Sequence, residues 1–323
     1  MAASVSEPSV MSAVVLDPRA KDKFVLRTVP RPEPGPGVPL IRVAAFSLNR
    51  GEVRNALAGA RDDARLGWDI AGTIERAATD DGSPAAGTRV VALDSGAGWA
   101  EFSAVPNIML APLPSRVSFE QAATLPVAGL TAWHALRKGG ELGGKRVLVN
   151  GASGGVGSLA CQLARHLGAE VVAAIRDARQ ETFVRKMGAE RVAVGPDLSA
   201  AKSMGPFHLI LESVGGASLG AALKMLAPGG TCVLFGVSEA SLVSFDAGAF
   251  YRTGATTLYG LVLRHEFQHE TPCAGLERLL ALTAEGKLSP PVEVMAPWTR
   301  IAEIAAGLMK RRFVGKAILT LNT

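Results

Sequence analysis

From about residue 118 onward, strand-like and helix-like segments of this 323-residue chain alternate. That alternation constrains the fold more than any other feature of the sequence. Apolar residues at helical spacing run through SFEQAATLPVAGLTAWHALRKGG, with Ser118 as N-cap and Gly139-Gly140 as the stop. The strand RVLVN follows, then a helix predicted over 155–167, the strand EVVAAI and a helix through Lys186. ERVAV, HLILES, a helix over 217–226, TCVLFGV and TTLYGLV complete the series. So many alternating units predict an α/β fold with a doubly wound parallel sheet over residues 119–262.

The flanking segments read differently. SAVVLD, KFVLRTV, LIRVAAFSL, IAGTIERA and TRVVAL are short β-prone runs broken by turn-rich RPEPGPG, TDDGSPAAG and DSGAGWA. They predict a small antiparallel barrel or sandwich. The last sixty residues hold the helices AGLERLLALTAEG and TRIAEIAAGLMK and the strand KAILTL, and do not continue the alternation. The expected division is therefore one mainly β domain from 1–118 plus 263–323 and a second domain over 119–262, as the length also favours. The first ten residues read as a tail; MAASVSEPSV has no basic patch before an apolar stretch, so no secretory signal is expected.

Composition excludes several classes. The chain is 48% hydrophobic and 20% charged, which suits a buried core rather than disorder, and no apolar run reaches membrane-spanning length. Cys161, Cys232 and Cys273 form no C-x-x-C pair, which argues against disulfides or a closed zinc site and for a cytoplasmic setting. The net charge of +5 is scattered, so a ligand carrying several phosphates is expected rather than nucleic acid.

The strongest chemical signal is Asn150-Gly151-Ala152-Ser153-Gly154-Gly155-Val156-Gly157, which follows a buried-type strand and opens a helix. Glycines let the backbone turn tightly and approach a pyrophosphate, and the free N–H groups of the helix start meet its charge. A packing-only glycine turn is the alternative. Nineteen positions beyond Gly157 stands Arg176, where enzymes using NAD place an acid. Arg176, with Arg179 a turn beyond, suits the 2′-phosphate of NADPH; Asp177 is read as a helix cap.

These residues resemble the medium-chain dehydrogenase/reductase superfamily, in its zinc-independent quinone oxidoreductase (zeta-crystallin-like) and enoyl reductase branch. The carriers are SLNRGEV, GWDIAG, LPVAGLTAWHAL, NGASGGVGSLACQLARHLGA, ESVGG, LYG and VGKAIL. The resemblance implies a Rossmann sheet inserted in a GroES-like domain, a homodimer paired through the edge of that sheet, and a set of site residues. Asn49 and Thr131 are implied beside the nicotinamide, and Ser153, Gly154, Gly155 and Val156 at the pyrophosphate. Arg176 and Arg179 take the 2′-phosphate. Val214, Phe235, Gly236, Val237, Tyr259, Gly260 and Leu261 line the ribose and nicotinamide, and Lys316 closes the cleft. Tyr259 also reads as a strand aromatic filling the core. Zinc-dependent relatives carry a Cys and a Gly-His-Glu where this chain has Asn49 and Gly67-Trp68-Asp69, so no metal is expected.

Several relatives carry a tyrosine five residues after the Asn; here that position is Arg54. Facing the pocket, Arg54 could polarise a carbonyl or bind a carboxylate; facing outward, it is an ordinary surface arginine. The two candidate catalytic residues are thus Asn49 and Arg54, with water as the default proton donor. His134 reads as a packed histidine, and His265 and His269 lack a third ligand for a metal. The expected activity is hydride transfer from NADPH to an activated small-molecule acceptor, either an enone or enoyl compound or a quinone. The alternative is a non-catalytic NADPH-binding structural or RNA-binding protein of the zeta-crystallin type. The loops ALAGARDDARLG and RHEFQHETP are expected to form pocket walls.

Overall fold

A computed structural model describes residues 9–59, 63–80 and 82–321. Residues 1–8 of the segment read as a tail, and 60–62 of the loop read as a pocket wall, lie outside the described residues. The chain runs through β1 (Val10–Leu16), β2 (Phe24–Pro30), β3 (Leu40–Ser47), α1 (Arg50–Gly59), β4 (Ala64–Arg65), β5 (Asp69–Arg76), β6 (Arg89–Leu93), β7 (Phe102–Ala104) and β8 (Leu110–Pro112). Next come α2 (Phe119–Ala122), α3 (Pro126–Arg137), β9 (Arg146–Asn150), α4 (Gly155–His166), β10 (Glu170–Ile175), α5 (Glu181–Lys186) and β11 (Arg191–Val194). β12 (Phe207–Glu212), α6 (Gly216–Leu223), β13 (Leu226–Leu234), α7 (Ala247–Thr253) and β14 (Thr257–Gly260) follow. The last elements are α8 (Leu263–Glu266), α9 (Pro272–Ala284), β15 (Val292–Pro297), α10 (Ile301–Met309) and β16 (Lys316–Thr320).

Six strands form one parallel sheet in the order β11-β10-β9-β12-β13-β14. The two faces of this Rossmann-type sheet are both buried, which is why its strands read as unbroken apolar runs rather than as alternations. Val147, Val149, Val171, Ala173, Leu209 and Leu211 join the core that contains α3 and α4. Leu148, Val172, Ala174, Ile210 and Cys232 point the other way, into the core that contains α6.

The remaining strands make a three-stranded antiparallel sheet, β2-β1-β4, and a seven-stranded one. In the latter the path is β15-β16-β3-β5-β6-β8, with β7 pairing β3. The C-terminal strand β16 thus runs antiparallel to β3, and a cluster of Phe24, Phe46, Trp99 and Trp298, with Phe46 stacked on Trp99 and the other contacts edge-on, packs this part.

One expectation needs correction and one element is added. The helix read from Ser118 is two helices: Ser118 caps the first through a reciprocal capping box with Gln121, but the chain breaks before Pro126. Proline has no N–H to continue the ladder, and here it opens the second helix instead. The segment RGEVRNALAG, left unassigned in the sequence, is α1; its mean polarity hides a buried face of Glu52, Val53 and Ala56.

Candidate functional site

Strand β9, in the middle of the parallel sheet, ends at the glycine turn. Gly151 has φ +81°, a left-handed conformation, and a Cβ there would lie 2.6 Å from Ser213 Oγ. At Gly157 a Cβ would meet the Gly151 carbonyl oxygen at 2.3 Å and the Ala152 Cα at 2.7 Å. The N-cap of α4 is Gly154, which has no side chain to satisfy the first-turn N–H groups. Glycines thus bring bare backbone to a helix N-terminus, a cradle that fits a pyrophosphate.

The C-terminal segment closes on this turn. Gly315 donates its N–H to the Ser153 carbonyl at 2.8 Å and forms a bridge with Gly154. The stem of Lys316 then lies on Gly155, where a Cβ would come within 2.6 Å of Lys316 Cδ. Its ammonium reaches past the turn to Leu48 O at 3.1 Å, Asn49 Oδ1 at 2.7 Å and Asp69 Oδ2 at 3.0 Å.

Asp69 collects four donors. Oδ2 accepts from Ser47 Oγ at 2.6 Å, Asn49 Nδ2 at 2.8 Å and Lys316, while Oδ1 accepts from the Val127 N–H at 2.8 Å, at the start of α3. Beside it lies Glu52, whose Oε1 accepts from Gly67 N at 3.1 Å. Asp69, Glu52 and Lys316 are all buried. Burial, and after it the charge of Asp69, pushes the Glu52 carboxyl well above its ordinary value, which favours its neutral form beside the Asp69–Lys316 pair.

This has a testable sign. The folded value of Glu52 lies above its unfolded value, near 4.5, so its contribution is intact at low pH and is lost as pH rises through the folded value. Glu52→Gln is therefore expected to flatten the fall in stability as pH rises above about 4.5, read by denaturant unfolding across pH; an unchanged profile would refute the assignment.

One end of the Asn49 amide is tied to Asp69 and the other to Lys316. Thr131 is buried on α3. Val214 and Gly215 donate N–H groups to buried Glu212, which also accepts from Asn150 Nδ2 at 2.7 Å. These bonds tie the ends of β9 and β12 together, and burial raises the Glu212 carboxyl above its usual range.

Phe235, Gly236 and Val237 follow β13, and Leu261 N bonds to Leu234 O just past Tyr259 and Gly260. Tyr259 packs against the core, and its hydroxyl donates to Glu266 Oε1 at 2.7 Å, with Lys138 paired to the same carboxylate at 2.8 Å. The expected pocket wall RHEFQHETP thus supplies an anchor, Glu266, that the sequence did not single out. His134 is buried as expected; among the described residues its Nε2 has no hydrogen-bond partner.

Arg54 does not face outward. Its guanidinium crosses to the Val237 carbonyl at 2.8 Å, joining α1 to the loop after β13. Arg50 donates to the last carbonyls of α10, Leu308 O at 3.0 Å and Met309 O at 2.8 Å. Burial lowers the basicity of Arg50, and the charges of Arg311, Arg54 and Arg176 lower it further, so four arginines share one electrostatic neighbourhood. Arg179 does not join them. Its side chain is 90% exposed and folds onto Asp177, the cap of the turn it follows.

Among the described residues no cluster of three or more His, Cys, Asp or Glu could hold a metal ion, and no helix is long and apolar enough to cross a membrane. A cavity of about 640 Å³ opens elsewhere, beside α6, and none of its lining residues belongs to the glycine turn or the Asp69 cluster.

Comparison with known proteins agrees with this geometry. Residues 155–280 match the zinc-binding dehydrogenase family. The chain is 34% identical over 297 residues to the spectinabilin polyketide synthase system protein NorB of Streptomyces orinoci, covering 88% of this chain and 13% of that protein. It is 31% identical over 243 residues to the mitochondrial NAD(P)H oxidoreductase RTN4IP1 of Bos taurus, covering 68% and 60%. This chain therefore spans only part of the length of either relative. Among solved structures, AibC superposes with a TM-score of 0.87 at 26% identity, covering 98% of this chain and 97% of that one. A mycobacterial quinone oxidoreductase superposes at 0.84 and 25%, covering 97% and 100%.

Proposed function

The chain belongs to the medium-chain dehydrogenase/reductase superfamily, and from that premise we propose that it is an NADPH-dependent reductase of activated alkenes, working without a catalytic metal. The observation that carries this reading is the pairing of a bare glycine cradle at the α4 N-terminus with an arginine, Arg176, at the end of β10. In this reading residues 119–262 hold the cofactor, and 1–118 with 263–323 shape the acceptor side.

When bound, the reduced nicotinamide supplies the hydride. The protein's residues bind, orient and exclude water. Gly154, Gly155 and Val156 would hold the pyrophosphate and Arg176 the 2′-phosphate. The Lys316–Asn49–Asp69 cluster fixes the floor of the cleft, and Tyr259, anchored by Glu266, fixes one wall. Where zinc-dependent relatives place a Cys and a Gly-His-Glu, this chain places Asn49 and Gly67-Trp68-Asp69, and the Asp69 carboxylate is engaged by Ser47, Asn49, Val127 and Lys316. An acceptor that needs no Lewis acid suits such a floor: a bound reduced nicotinamide would supply hydride to the β-carbon of an α,β-unsaturated carbonyl, and a water would supply the proton to the α-carbon.

Between acceptors, the polyketide synthase relative favours an enoyl thioester, and the quinone oxidoreductase neighbour supports a quinone as second choice. The test is NADPH oxidation by the purified chain against an enoyl thioester, a simple enone, a quinone and a saturated ketone, with NADH in parallel. Turnover of the alkenes with NADPH, unchanged by chelator and absent with the ketone, is expected. NADPH binding with no acceptor consumed would favour a non-catalytic role, and no binding would overturn the reading. We also propose a homodimer through the sheet edge, where β14 exposes Leu258; elution at monomer mass at all concentrations would refute it.

A further inference from the structure

The Arg176 guanidinium is already engaged: its Nη2 lies 2.5 Å from Glu239 Oε1. Arg176 follows β10 and Glu239 follows β13, and in the sheet these strands are separated by β9 and β12. The pair therefore bridges the ends of two intervening strands, on the side where the glycine turn opens.

The backbone holds Glu239 in place. Its N–H donates to Val214 O at 3.0 Å, Ser238 N–H donates to Ser213 O at 3.0 Å, and Ala240 forms a bridge with Gly215. The approach at that bridge is so close that a Cβ on Gly215 would stand 2.2 Å from the Ala240 carbonyl oxygen. The carboxylate can rotate away from Arg176, but its backbone cannot retreat. Arg311 lies within electrostatic reach of both groups: its basicity is lowered by burial and by Arg176 and supported by Glu239.

Resting on the NADPH reading above, we propose that Glu239 is the specificity-determining residue of the adenosine end of the site, an internal anion that occupies Arg176 and must be displaced by a 2′-phosphate. A dianionic phosphate outcompetes a carboxylate for a guanidinium. The tethered Glu239 still opposes it, first by competition and then by like-charge repulsion. A cofactor without the 2′-phosphate meets no such opposition, because its ribose hydroxyls can donate to a carboxylate. Glu239 thus narrows the preference for NADPH that Arg176 alone would create.

The pair is more than one-third exposed on both sides, so its strength is modest and displacement is easy. Removing Glu239 is expected to tighten binding of a 2′-phosphate by up to about fivefold. Removing Arg176 is expected to weaken it by roughly ten- to hundredfold.

The experiment is titration calorimetry of the full chain with 2′,5′-ADP and with 5′-AMP, which reads the subsite without turnover. Glu239→Gln should bind 2′,5′-ADP about three- to fivefold more tightly with 5′-AMP unchanged or weaker, and Glu239→Ala should behave likewise. In the Arg176→Gln background only the like-charge repulsion remains, so the gain from Glu239→Gln should shrink. Melting curves superimposable on the parent are expected, since the backbone bonds of the loop persist. If Arg176→Gln weakens 2′,5′-ADP but Glu239→Gln leaves it unchanged, the role of Glu239 is overturned and the NADPH reading stands. If Arg176→Gln binds 2′,5′-ADP as well as the parent, the phosphate is not at Arg176 and both fall.

Discussion

Lys316→Met is expected to cost about 3–5 kcal/mol of folding stability, measured by denaturant unfolding. Methionine keeps the unbranched stem that lies on Gly155 but removes the ammonium, so the change isolates the charge. Asp69 is fully buried and Lys316 nearly so, and among the described residues Lys316 is the cation bonded to Asp69. Without it, Asp69 keeps neutral donors from Ser47, Asn49 and Val127 but sits as an uncompensated buried anion. Asp69→Asn should cost a comparable amount by stranding the ammonium instead. The double substitution should cost clearly less than the sum of the two, because it removes both charges together. A single substitution costing under about 1 kcal/mol would mean that water reaches the pair and screens it. Additive losses would mean that the two side chains act independently.

The same cluster marks where the sequence stopped being legible. The Rossmann-type sheet was readable because it is local: β9 through β14 are apolar runs punctuated by glycines, and each strand carries its own signal. The glycine turn was readable for the same reason, its glycines lying within seven residues of one another. Lys316 and Asp69 are 247 positions apart, and Glu52 and Asp69 look like surface charges in a list of residues. Nothing in spacing says that they share a buried pocket. Resemblance pointed to Lys316 but not to the carboxylate it pairs with. Arg54 failed differently: α1 has too polar a face to announce itself as a helix, so the direction of Arg54 could not be read until the Val237 carbonyl was seen beneath it. Glu239 had no signal at all, because its meaning lies in Arg176, across two strands.

The glycines of the turn should respond unequally, although sequence treats them alike. Gly157→Ala is expected to be the most damaging. Its Cβ would stand 2.3 Å from one backbone oxygen and 2.7 Å from a backbone carbon, neither of which can rotate aside, so the turn between β9 and α4 must shift. Overpacking of this kind costs on the order of 1–3 kcal/mol, and a shifted turn also misaims the N–H groups of the α4 first turn, so NADPH affinity should fall with stability. Gly155→Ala drives its methyl into the Lys316 stem, whose ammonium is fixed by three acceptors, and should lie between the extremes. Gly154→Ala meets only the Gly151 oxygen, at 3.4 Å, and its φ of −83° suits any residue. At an N-cap the change should cost about 1 kcal/mol or less of stability. Its methyl would nevertheless project from the exposed rim of the cradle, where the pyrophosphate is proposed to lie. Thermal melting and NADPH fluorescence titration on the three variants separate these effects. Gly154→Ala should keep its fold and lose affinity, whereas Gly157→Ala should lose both. If Gly154→Ala binds NADPH like the parent, the phosphates do not approach that backbone, and the cradle is a packing device for the strand–helix junction.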